Sequence, residues 1–403
     1  MTKILHIITD KNIGGAGHQV LALIKASDSA AFEMEIVVPQ DSQLIPQLTA
    51  HGITYHEAPD IADKSFSFAG IRALYKLIKQ LKPDIVHTHG SMAGRIAARL
   101  YRRVRVVHTR HSVFPLASWR KHFPIKQFSG LINNGLSDMA IAVSPAAKDN
   151  LLEMGMSDKK IRTVFNGAPP AKDFTTDEIE VLMQKYNIVP GTFVLAIIAR
   201  LAEVKGHDDV LDAAKAIQDT EIAVSDVACV ISDGANTVPD TELDATKVAP
   251  DILILVAGND GDGSNKRLNH LEKRIANENI ANVKLLGFIE DVDEIINLSD
   301  VLLNASYGTE ASSMALIQGM SAGKPAVATV YGGNPYIVQD GVSGLLTPIR
   351  DPKAMAEAIL RLKSDPALYR QLSDRARQVY RERFTDKKMA SDTEAVYNEI
   401  FNS

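Results

Sequence analysis

The stretch FVLAIIARLAEVKG, residues 193–206, places two cations directly behind a short apolar run. The run FVLAIIA (193–199) is rich in apolar residues and ends in a polar loop, which is typical of a buried strand. Arg200 and Lys205 follow at the carboxyl end of this strand, the edge at which open parallel sheets bind ligands. The stretch therefore predicts a strand that presents a guanidinium and an ammonium group to a ligand.

Similar apolar runs recur on both sides, separated by amphipathic stretches such as 19–26 and 70–81. The predicted strands are 3–8, 32–38, 84–89, 105–109 and 139–143, and then 193–199, 252–258, 282–287, 300–306 and 324–330. This alternation of strand and helix is typical of doubly wound parallel sheets. We expect an α/β protein with two Rossmann-like domains that face each other across a ligand-binding cleft.

The turn-forming string at 166–170, NGAPP, separates the two sets of strands. We place the first domain at residues 1–170 and the second at 171–384, and we expect the terminal helix at about 385–403 to pack back on the first domain. Residues 219–251 interrupt the alternation, because they are acidic and rich in turn formers. We interpret them as an insertion with one candidate strand at 227–231.

The bulk composition fits a soluble globular protein, with 403 residues, 45% hydrophobic and 23% charged. The first apolar run has only six residues, which is too short for a signal peptide or a membrane span. Cys229 is the single cysteine, so no internal disulfide can form. These features predict an intracellular, cytoplasmic protein.

The charge is distributed unevenly between the two halves. Residues 1–170 carry 21 Lys and Arg against 13 Asp and Glu, a net charge of +8, whereas residues 171–403 carry 23 against 36, a net charge of −13. A basic half indicates an anionic partner such as a phosphate, a nucleic acid or a membrane surface, although such a field also favours solubility.

Three local patterns indicate where a ligand could bind. Arg200 and Lys205 suit a diphosphate, since Arg offers a planar fork and Lys a compact charge; two solvated loop cations are the alternative. Gly14 and Gly15 lie between the first strand and a helix, where backbone amides can approach an anion. Their spacing does not match the G-x-G-x-x-G dinucleotide motif, and a plain structural turn is the alternative.

The third pattern is ASYGTEASSMALIQGM, residues 305–320. Glu310 follows the predicted strand 300–306, and Ser312 or Ser313 can cap the helix that comes next. This helix is predicted to end at Gly323. Glu310 would therefore lie at the positive end of that helix. Gln318 lies among core-facing neighbours, so its amide needs a partner from the backbone, water or a ligand.

Eight motifs follow one another along the chain: the Gly-Gly loop, the strand-end His, the NG turn, R-x4-KG, the acid with a polar residue eight positions later, GKPAVAT, GG and G-L-L. In this order they resemble the family 4 glycosyltransferases of GT-B fold. The resemblance covers roughly residues 3–365. It implies a retaining enzyme that transfers a sugar from a nucleotide diphosphosugar, with no metal and no other cofactor. UDP is the nucleotide that is most frequent in that family.

The resemblance also implies roles for particular residues. Arg200 and Lys205 would bind the donor diphosphate and stabilise the charge that grows on the leaving group. Gly14 and Gly15 would lie over the same cleft, leaving room for donor and acceptor. His111 would lie beside the transferred sugar.

Glu310 would lie near the hydroxyls of the donor sugar, by the same resemblance. The backbone amides that begin the next helix would receive phosphate or sugar oxygens. The residues concerned are Ser312, Ser313, Met314 and Ala315, within the range 312–316.

Gln318 departs from the family pattern, which has a second Glu at this position to accept hydrogen bonds from the ribose. A charged acceptor gives bonds of about 1.5–3 kcal/mol against about 0.5–1.5 for a neutral one. We therefore expect Gln318 to keep the ribose contact while weakening nucleotide binding roughly tenfold.

Two other patterns suggest a metal, and we interpret neither as a metal site. Asp260 and Asp262 lie in GNDGDGSN, where Asp and Gly are ordinary turn formers. His87, His89 and His108 occupy predicted strands, where histidines of the core are more frequent than ligands.

The segment SWRKHFPIKQF (118–128) combines cations with Trp119, Phe123 and Phe128. It predicts either peripheral contact with an anionic membrane or an acceptor-side loop that packs its own aromatic residues. The cations form no long run and no binding motif accompanies them, so we do not expect nucleic acid as a partner.

Together with the resemblance, these features predict a cytoplasmic, retaining transferase that moves a sugar from a UDP-linked donor to a glycan or lipid-linked acceptor in cell-surface polysaccharide or glycolipid synthesis. Peripheral membrane association remains one of the two interpretations of segment 118–128. Two alternatives have the same fold. One is a non-catalytic protein that binds a nucleotide sugar, and the other is a sugar-nucleotide 2-epimerase or hydrolase.

Overall fold

The computed structural model describes residues 1–62, 66–232 and 251–402, and it contains two parallel sheets with helices on both faces. The first sheet has seven strands in the order β3-β2-β1-β4-β5-β7-β8. These strands are β1 (Thr2–Ile8), β2 (Phe32–Pro39), β3 (Tyr55–Ala58), β4 (Ile85–His89), β5 (Arg105–Arg110), β7 (Met139–Ala142) and β8 (Ile161–Thr163). The helices between them are α1 (Gly15–Ala26), α2 (Ile45–Ala50), α3 (Phe68–Leu81), α4 (Met92–Tyr101), α5 (Ile125–Leu136) and α6 (Pro145–Glu153).

The second sheet has six parallel strands in the order β11-β10-β9-β12-β14-β15. These strands are β9 (Phe193–Ile198), β10 (Ile252–Ala257), β11 (Val283–Gly287), β12 (Val301–Asn304), β14 (Ala326–Thr329) and β15 (Gly344–Thr347). The helices of this half are α7 (Thr176–Lys185), α8 (His207–Ser232), α9 (Lys266–Asn277), α10 (Val292–Leu298), α11 (Met314–Ser321), α12 (Asn334–Ile337), α13 (Pro352–Ser364) and α14 (Pro366–Arg383).

A two-stranded antiparallel pairing connects the two halves. Strand β6 (Ser112–Val113) follows β5 of the first sheet, and β13 (Thr309–Glu310) follows β12 of the second. In their register, Thr309 lies opposite Val113 and Glu310 opposite Ser112. The loops at the carboxyl ends of two central strands, one from each sheet, are therefore held against each other.

The last helix, α15 (Asp386–Asn402), packs on the first sheet beside α1. Its Tyr397 is fully buried in the same apolar cluster as Ile4, Phe32 and Ile85. The opposite face of that sheet is covered by α3 and α4. Both faces of the first sheet are thus buried, which explains its nearly continuous apolar strands.

The predicted α/β fold with two Rossmann-like sheets is confirmed, and the division of the chain at residues 170 and 384 stays a prediction. The candidate strand at 227–231 is wrong, because α8 continues through it to Ser232. Residues 219–232 are therefore helical, and the rest of the expected insertion up to residue 250 lies outside the described residues. Within the described ranges, no helix is long and apolar enough to cross a bilayer.

Candidate active site

Lys205 and Glu310 form an ion pair at the carboxyl edge of the second sheet, with 2.7 Å between Nζ and Oε2. Lys205 ends a short 3-10 turn (Glu203–Lys205) that follows β9. Gly206 comes next at φ +72°, and a Cβ there would lie 2.1 Å from the carbonyl oxygen of Ala305. The glycine after Lys205 therefore allows the loop after β9 to pack closely on the loop after β12. This close packing brings the side chains of Lys205 and Glu310 together.

Glu310 is buried and charged. Oε2 also accepts hydrogen bonds from Asn304 Nδ2 at 3.3 Å and from Ser306 Oγ at 3.2 Å. Burial alone would raise the pKa of Glu310, but the charge of Lys205 and these three hydrogen bonds lower it overall. In the described part of the chain all of these bonds end on Oε2, so Oε1 is left for another donor.

Two adjacent glycines contact the backbone of Glu310 and of the residue after it. A Cβ on Gly332 would lie 1.8 Å from the carbonyl oxygen of Glu310, and a Cβ on Gly333 would lie 1.8 Å from that of Ala311. The N–H of Gly333 donates to the carbonyl oxygen of Glu310 at 3.1 Å. The GG pair of the sequence is thus required by close backbone approach, and it fixes where Glu310 enters the site.

Helix α11 begins at Met314, four residues after Glu310. The hydroxyl of Ser313 caps it by accepting from the N–H of Leu316 at 3.4 Å. The first-turn N–H groups of Met314 and Ala315 have no acceptor within the helix. Oγ of Ser312 is buried, and the described residues offer it no hydrogen-bond partner. The amino end of α11 therefore has donors in place for an anion.

The glycine loop of the first sheet reaches this helix. Gly14 precedes α1, and Gly15 is its first residue, so the helix starts four positions before the predicted range 19–26. A Cβ on Gly15 would lie 3.7 Å from Cγ of Met314. The first halves of α1 and α11 therefore face each other across a narrow gap.

His111 lies next to the pairing of β6 with β13, one residue before Ser112. Its Nε2 is 2.9 Å from Nδ1 of His89, and the two rings are stacked. Burial, with a smaller effect of the Arg110 charge, lowers the pKa of His111 to about 4. His111 is therefore a neutral group, and it adjoins the residue that pairs with Glu310.

Two of the predicted residues lie outside this group. Arg200 is exposed, and its aliphatic chain packs on the turn at Gly261. Gln318 is half-buried and lines a cavity of about 120 Å³ between α1 and α11, together with His18, Lys25 and Met314. Neither residue is in direct contact with Glu310 among the contacts of the described residues, so their predicted roles in binding the diphosphate and the ribose stay predictions.

The two candidate metal patterns have other contacts. Asp260 accepts from the backbone N–H groups of Arg267 and Leu268 and so fixes the start of α9. The ring nitrogens of His6, His87 and His89 lie within 4.8 Å of one another. Both nitrogens of His87 are, however, engaged with Tyr397 and Thr109 at 2.6 Å. Hydrogen bonding therefore accounts for the arrangement of His87.

Sequence reasoning did not identify Asn304 and Ser306 as partners of Glu310, nor Ser112 as its neighbour across the two halves. Asn304 and Ser306 lie within six residues of Glu310 at the end of a strand, so polar residues at a predicted strand end were a usable signal. Ser112 is far from Glu310 in sequence, and nothing local indicates that pairing.

Comparisons with known proteins agree with this geometry. Residues 13–172 match Glycosyltransferase Family 4, and residues 178–379 match Glycosyl transferases group 1. The chain is 25% identical to the N-acetyl-α-D-glucosaminyl L-malate synthase of Bacillus anthracis, covering 96% of this chain and 95% of that protein. It is 27% identical to the UDP-Gal:α-D-GlcNAc-diphosphoundecaprenol α-1,3-galactosyltransferase of Escherichia coli, covering 73% of this chain and 70% of that protein.

The fold is similar to that of HepE from Anabaena, which was crystallised in complex with UDP and glucose. The TM-score is 0.79 at 19% identity, and the match covers 99% of this chain and all of that chain. The two family matches cover most of both sheets and the loops that carry Lys205, Glu310 and His111. The chain therefore belongs to the family 4, group 1 glycosyltransferases of GT-B fold, and it is a glycosyltransferase.

Proposed function

We propose that this protein is a retaining transferase that takes a sugar from a nucleoside diphosphosugar and passes it to a hydroxyl of a glycan or of a lipid-linked acceptor. The observation that carries the proposal is the ion pair of Lys205 and Glu310 at the amino end of α11. A cation, unpartnered helix amides and a carboxylate with one oxygen still available lie together at the carboxyl edge of a Rossmann-like sheet. These are the groups that a charged diphosphate and a polyhydroxylated sugar require.

The donor diphosphate would lie against the helix amides, with Lys205 beside it. Negative charge grows on the departing diphosphate in the transition state, and a fixed ammonium group and helix dipole stabilise it there. Arg200 follows the same strand, and its exposed side chain has room to turn towards the phosphates. Oε1 of Glu310 would accept hydrogen bonds from the hydroxyls of the sugar.

The contacts of this carboxylate argue against a covalent intermediate on Glu310, and the retaining mechanism that we propose needs none. Glu310 is held by Lys205, Asn304 and Ser306, and among the described contacts it has no second carboxylate as partner. A buried, ion-paired carboxylate is a weak nucleophile. In the proposed mechanism an oxygen of the leaving diphosphate accepts the proton of the incoming hydroxyl on the same face of the sugar, and the protein supplies positioning and charge stabilisation.

UDP is the nucleotide that we propose. Support comes from HepE, which binds UDP and UDP-glucose in its crystal structures, and from the E. coli relative, which is named for a UDP-galactose donor. The same relative acts on a diphosphoundecaprenol-linked sugar, and this supports a lipid-linked acceptor here.

Peripheral contact with an anionic membrane is part of this proposal. Large apolar side chains are exposed along one continuous segment of the first half: Phe114, Trp119, Phe123, Ile125, Phe128, Leu131 and Ile132. Four of them lie on α5 at positions 125, 128, 131 and 132, where a three- to four-residue spacing forms one face of a helix. This face is available to lipid.

The charge of the segment complements an anionic surface. Residues 114–137 contain Arg120, Lys121 and Lys126 and no Asp or Glu. Basic residues give attraction to acidic lipid, and aromatic residues lie at the level of the head groups. A transferase held there would meet a lipid-linked acceptor at the membrane surface.

A panel of UDP, GDP and ADP sugars tests the central proposal. We expect slow release of UDP from one UDP-sugar without acceptor, and faster release with a lipid-linked glycan. The coupling constant of the anomeric proton in the product should show the same configuration as the donor. Inversion would exclude the retaining mechanism, and a change at C2 of the released sugar would indicate the epimerase instead.

Sedimentation with vesicles tests the membrane contact. We expect binding to vesicles that contain phosphatidylglycerol and none to pure phosphatidylcholine. Replacing the exposed Phe128 and Leu131 by Ser should reduce binding, whereas Val181→Ser, an exposed apolar residue of the second half, should not. Binding to neither kind of vesicle would favour the acceptor-side loop.

A further inference from the structure

Four histidine rings form a row on one face of the first sheet. His6 lies on β1 beside His87 on β4, and His89 follows two positions later on the same face. The rings of His87 and His89 are stacked at 4.4 Å, and those of His89 and His111 at 5.2 Å. The row leads from the buried interior to His111, which is half-buried at the site.

Three of these rings form a hydrogen-bonded chain. Nδ1 of His6 lies 3.0 Å from Nε2 of His89, and Nδ1 of His89 lies 2.9 Å from Nε2 of His111. Both nitrogens of His89 are therefore engaged, one with each neighbour. His87 is stacked beside the chain but bonds elsewhere.

All three rings of the chain are neutral. Burial lowers the pKa of His6 to about 3, keeps that of His89 well below its usual value, and lowers that of His111 to about 4. A neutral imidazole carries one N–H, so three rings carry three protons. Two of these lie in the two bonds of the chain, and the third lies at one end, on Nε2 of His6 or on Nδ1 of His111.

The buried end decides where the third proton lies. Nε2 of His6 is buried, and the described residues give it no hydrogen-bond partner. A buried N–H without an acceptor is rarer in proteins than a bare acceptor, because its desolvation is not compensated. The favoured direction of hydrogen-bond donation is therefore the one in which Nε2 of His6 carries no proton. Each ring then donates from Nδ1 towards the site.

We infer that His6 and His89 are positioning residues that hold His111 in its Nδ1–H form, so that His111 donates a hydrogen bond to a substrate oxygen and does not act as a general base. The bond to His89 occupies Nε2 of His111, and the remaining nitrogen carries the proton. The tautomer follows from the protein alone, whereas the substrate oxygen rests on the proposed function. A sugar hydroxyl or a phosphate oxygen would supply the lone pair.

Nitrogen NMR of the protein labelled with ¹⁵N-histidine tests the tautomer directly, without any substrate. Spectra that correlate the ring nitrogens with the carbon-bound ring protons distinguish the Nδ1–H form from the Nε2–H form. Substituting one histidine at a time assigns each signal to its residue. We expect Nδ1–H at His6, His89 and His111 at pH 7.5. An Nε2–H form at His111 would overturn the inference.

Kinetics of variants at position 89 test the effect on catalysis. His89→Phe removes the hydrogen bonds of His89 with both His6 and His111. We expect it to lower kcat roughly tenfold, which corresponds to the loss of about one hydrogen bond, with little change in KM. His89→Gln keeps a donor and an acceptor and should restore most of the rate and the His111 tautomer. His108→Asn is the matched control, because His108 is equally buried but bonds to Thr88 instead of joining the chain.

The two tests fail in different ways. If His89→Phe and His89→Gln lower kcat equally while His108→Asn leaves it unchanged, the hydrogen-bonded histidines have only a packing role and the inference is wrong. If the wild-type protein turns over no nucleotide sugar, the proposed function fails. The NMR result still decides the tautomer in that case.

Discussion

Glu310 lies directly opposite Ser112 in the antiparallel pairing of β6 with β13, although the two residues belong to different halves of the chain. Ser112 follows His111, and Glu310 is paired with Lys205. One short backbone contact therefore sets the distance between a neutral imidazole from the first sheet and an ion pair from the second.

Replacing Lys205 by Ala should abolish turnover, because the leaving diphosphate loses its nearest cation. Release of UDP from the preferred donor measures the effect. Lys215→Ala is a matched control, since it removes a lysine whose ion pair with Asp219 lies on the surface of α8. Unchanged turnover in Lys205→Ala would refute the phosphate role.

The same substitution should also lower stability. It leaves the buried carboxylate of Glu310 without its cation, and breaking such a pair from one side costs about 3 kcal/mol in the free energy of unfolding. Adding Glu310→Gln removes the unpaired charge, so the double variant should recover part of that loss. Denaturant unfolding of the wild-type protein and of the two variants measures both effects. A double variant less stable than Lys205→Ala would contradict this account.

Replacing Gly332 by Ala should displace Glu310. The new Cβ would lie 1.8 Å from the carbonyl oxygen of Glu310, and the backbone has φ +54°. Gly341→Ala is the control, because φ is +67° there but no atom lies within 4 Å of the new Cβ. We expect roughly 1 kcal/mol of destabilisation at Gly341 from the backbone alone. At Gly332 the loss should be several times larger and accompanied by loss of activity, as thermal unfolding and UDP release would show.

Gln318→Glu should strengthen UDP binding roughly tenfold, because a charged acceptor forms the stronger hydrogen bonds to ribose. Titration calorimetry with UDP measures the affinity, and Gln318→Ala should weaken it. Equal affinities in all three proteins would show that the ribose does not reach the cavity between α1 and α11.

The protein should lose stability as pH falls below about 6.5, the usual pKa of histidine. Burial lowers the pKa of His6 to about 3 and that of His207 to about 4. Between these values and 6.5 the unfolded chain binds protons that the folded protein does not, so unfolding is favoured as pH decreases. Each such histidine contributes on the order of 1.4 kcal/mol per pH unit.

Urea unfolding at pH 7.5, 6.5 and 5.5 measures this slope. His207→Asn should make it shallower by one histidine, since the buried His207 stays neutral in the folded protein over this pH range. A stability that stays constant from pH 7.5 to pH 5.5 would contradict the prediction.

Most strands could be predicted because they are buried on both faces and therefore largely apolar, as in MAIA of β7 and ILILVA of β10. The strands that were not predicted are short and lie at sheet edges, such as β3 with YHEA and β8 with IRT. Such strands bury less apolar surface, so periodicity does not reveal them. Helix α8 was missed over 219–232 because its acidic residues resemble a turn.

The site residues that could be predicted are those that lie in short sequence motifs. The K-G turn, the acid before α11 and its serine cap all lie in short motifs, and the structure brings Lys205 and Glu310 into contact. The pairing of Ser112 with Glu310 and the chain from His6 to His111 join residues from different strands. Sequence spacing contains no information about such contacts, which form only when the two sheets are assembled.

Helix α15 has a consequence for how the chain is made. Tyr397 and Ile400 complete the apolar core around Ile4 and Phe32, so an early segment of the chain depends on a much later one for its burial. During synthesis one face of the first sheet must remain uncovered until α15 has been made. Nascent chains, and products that stop before residue 386, would expose that apolar face and become targets for chaperones.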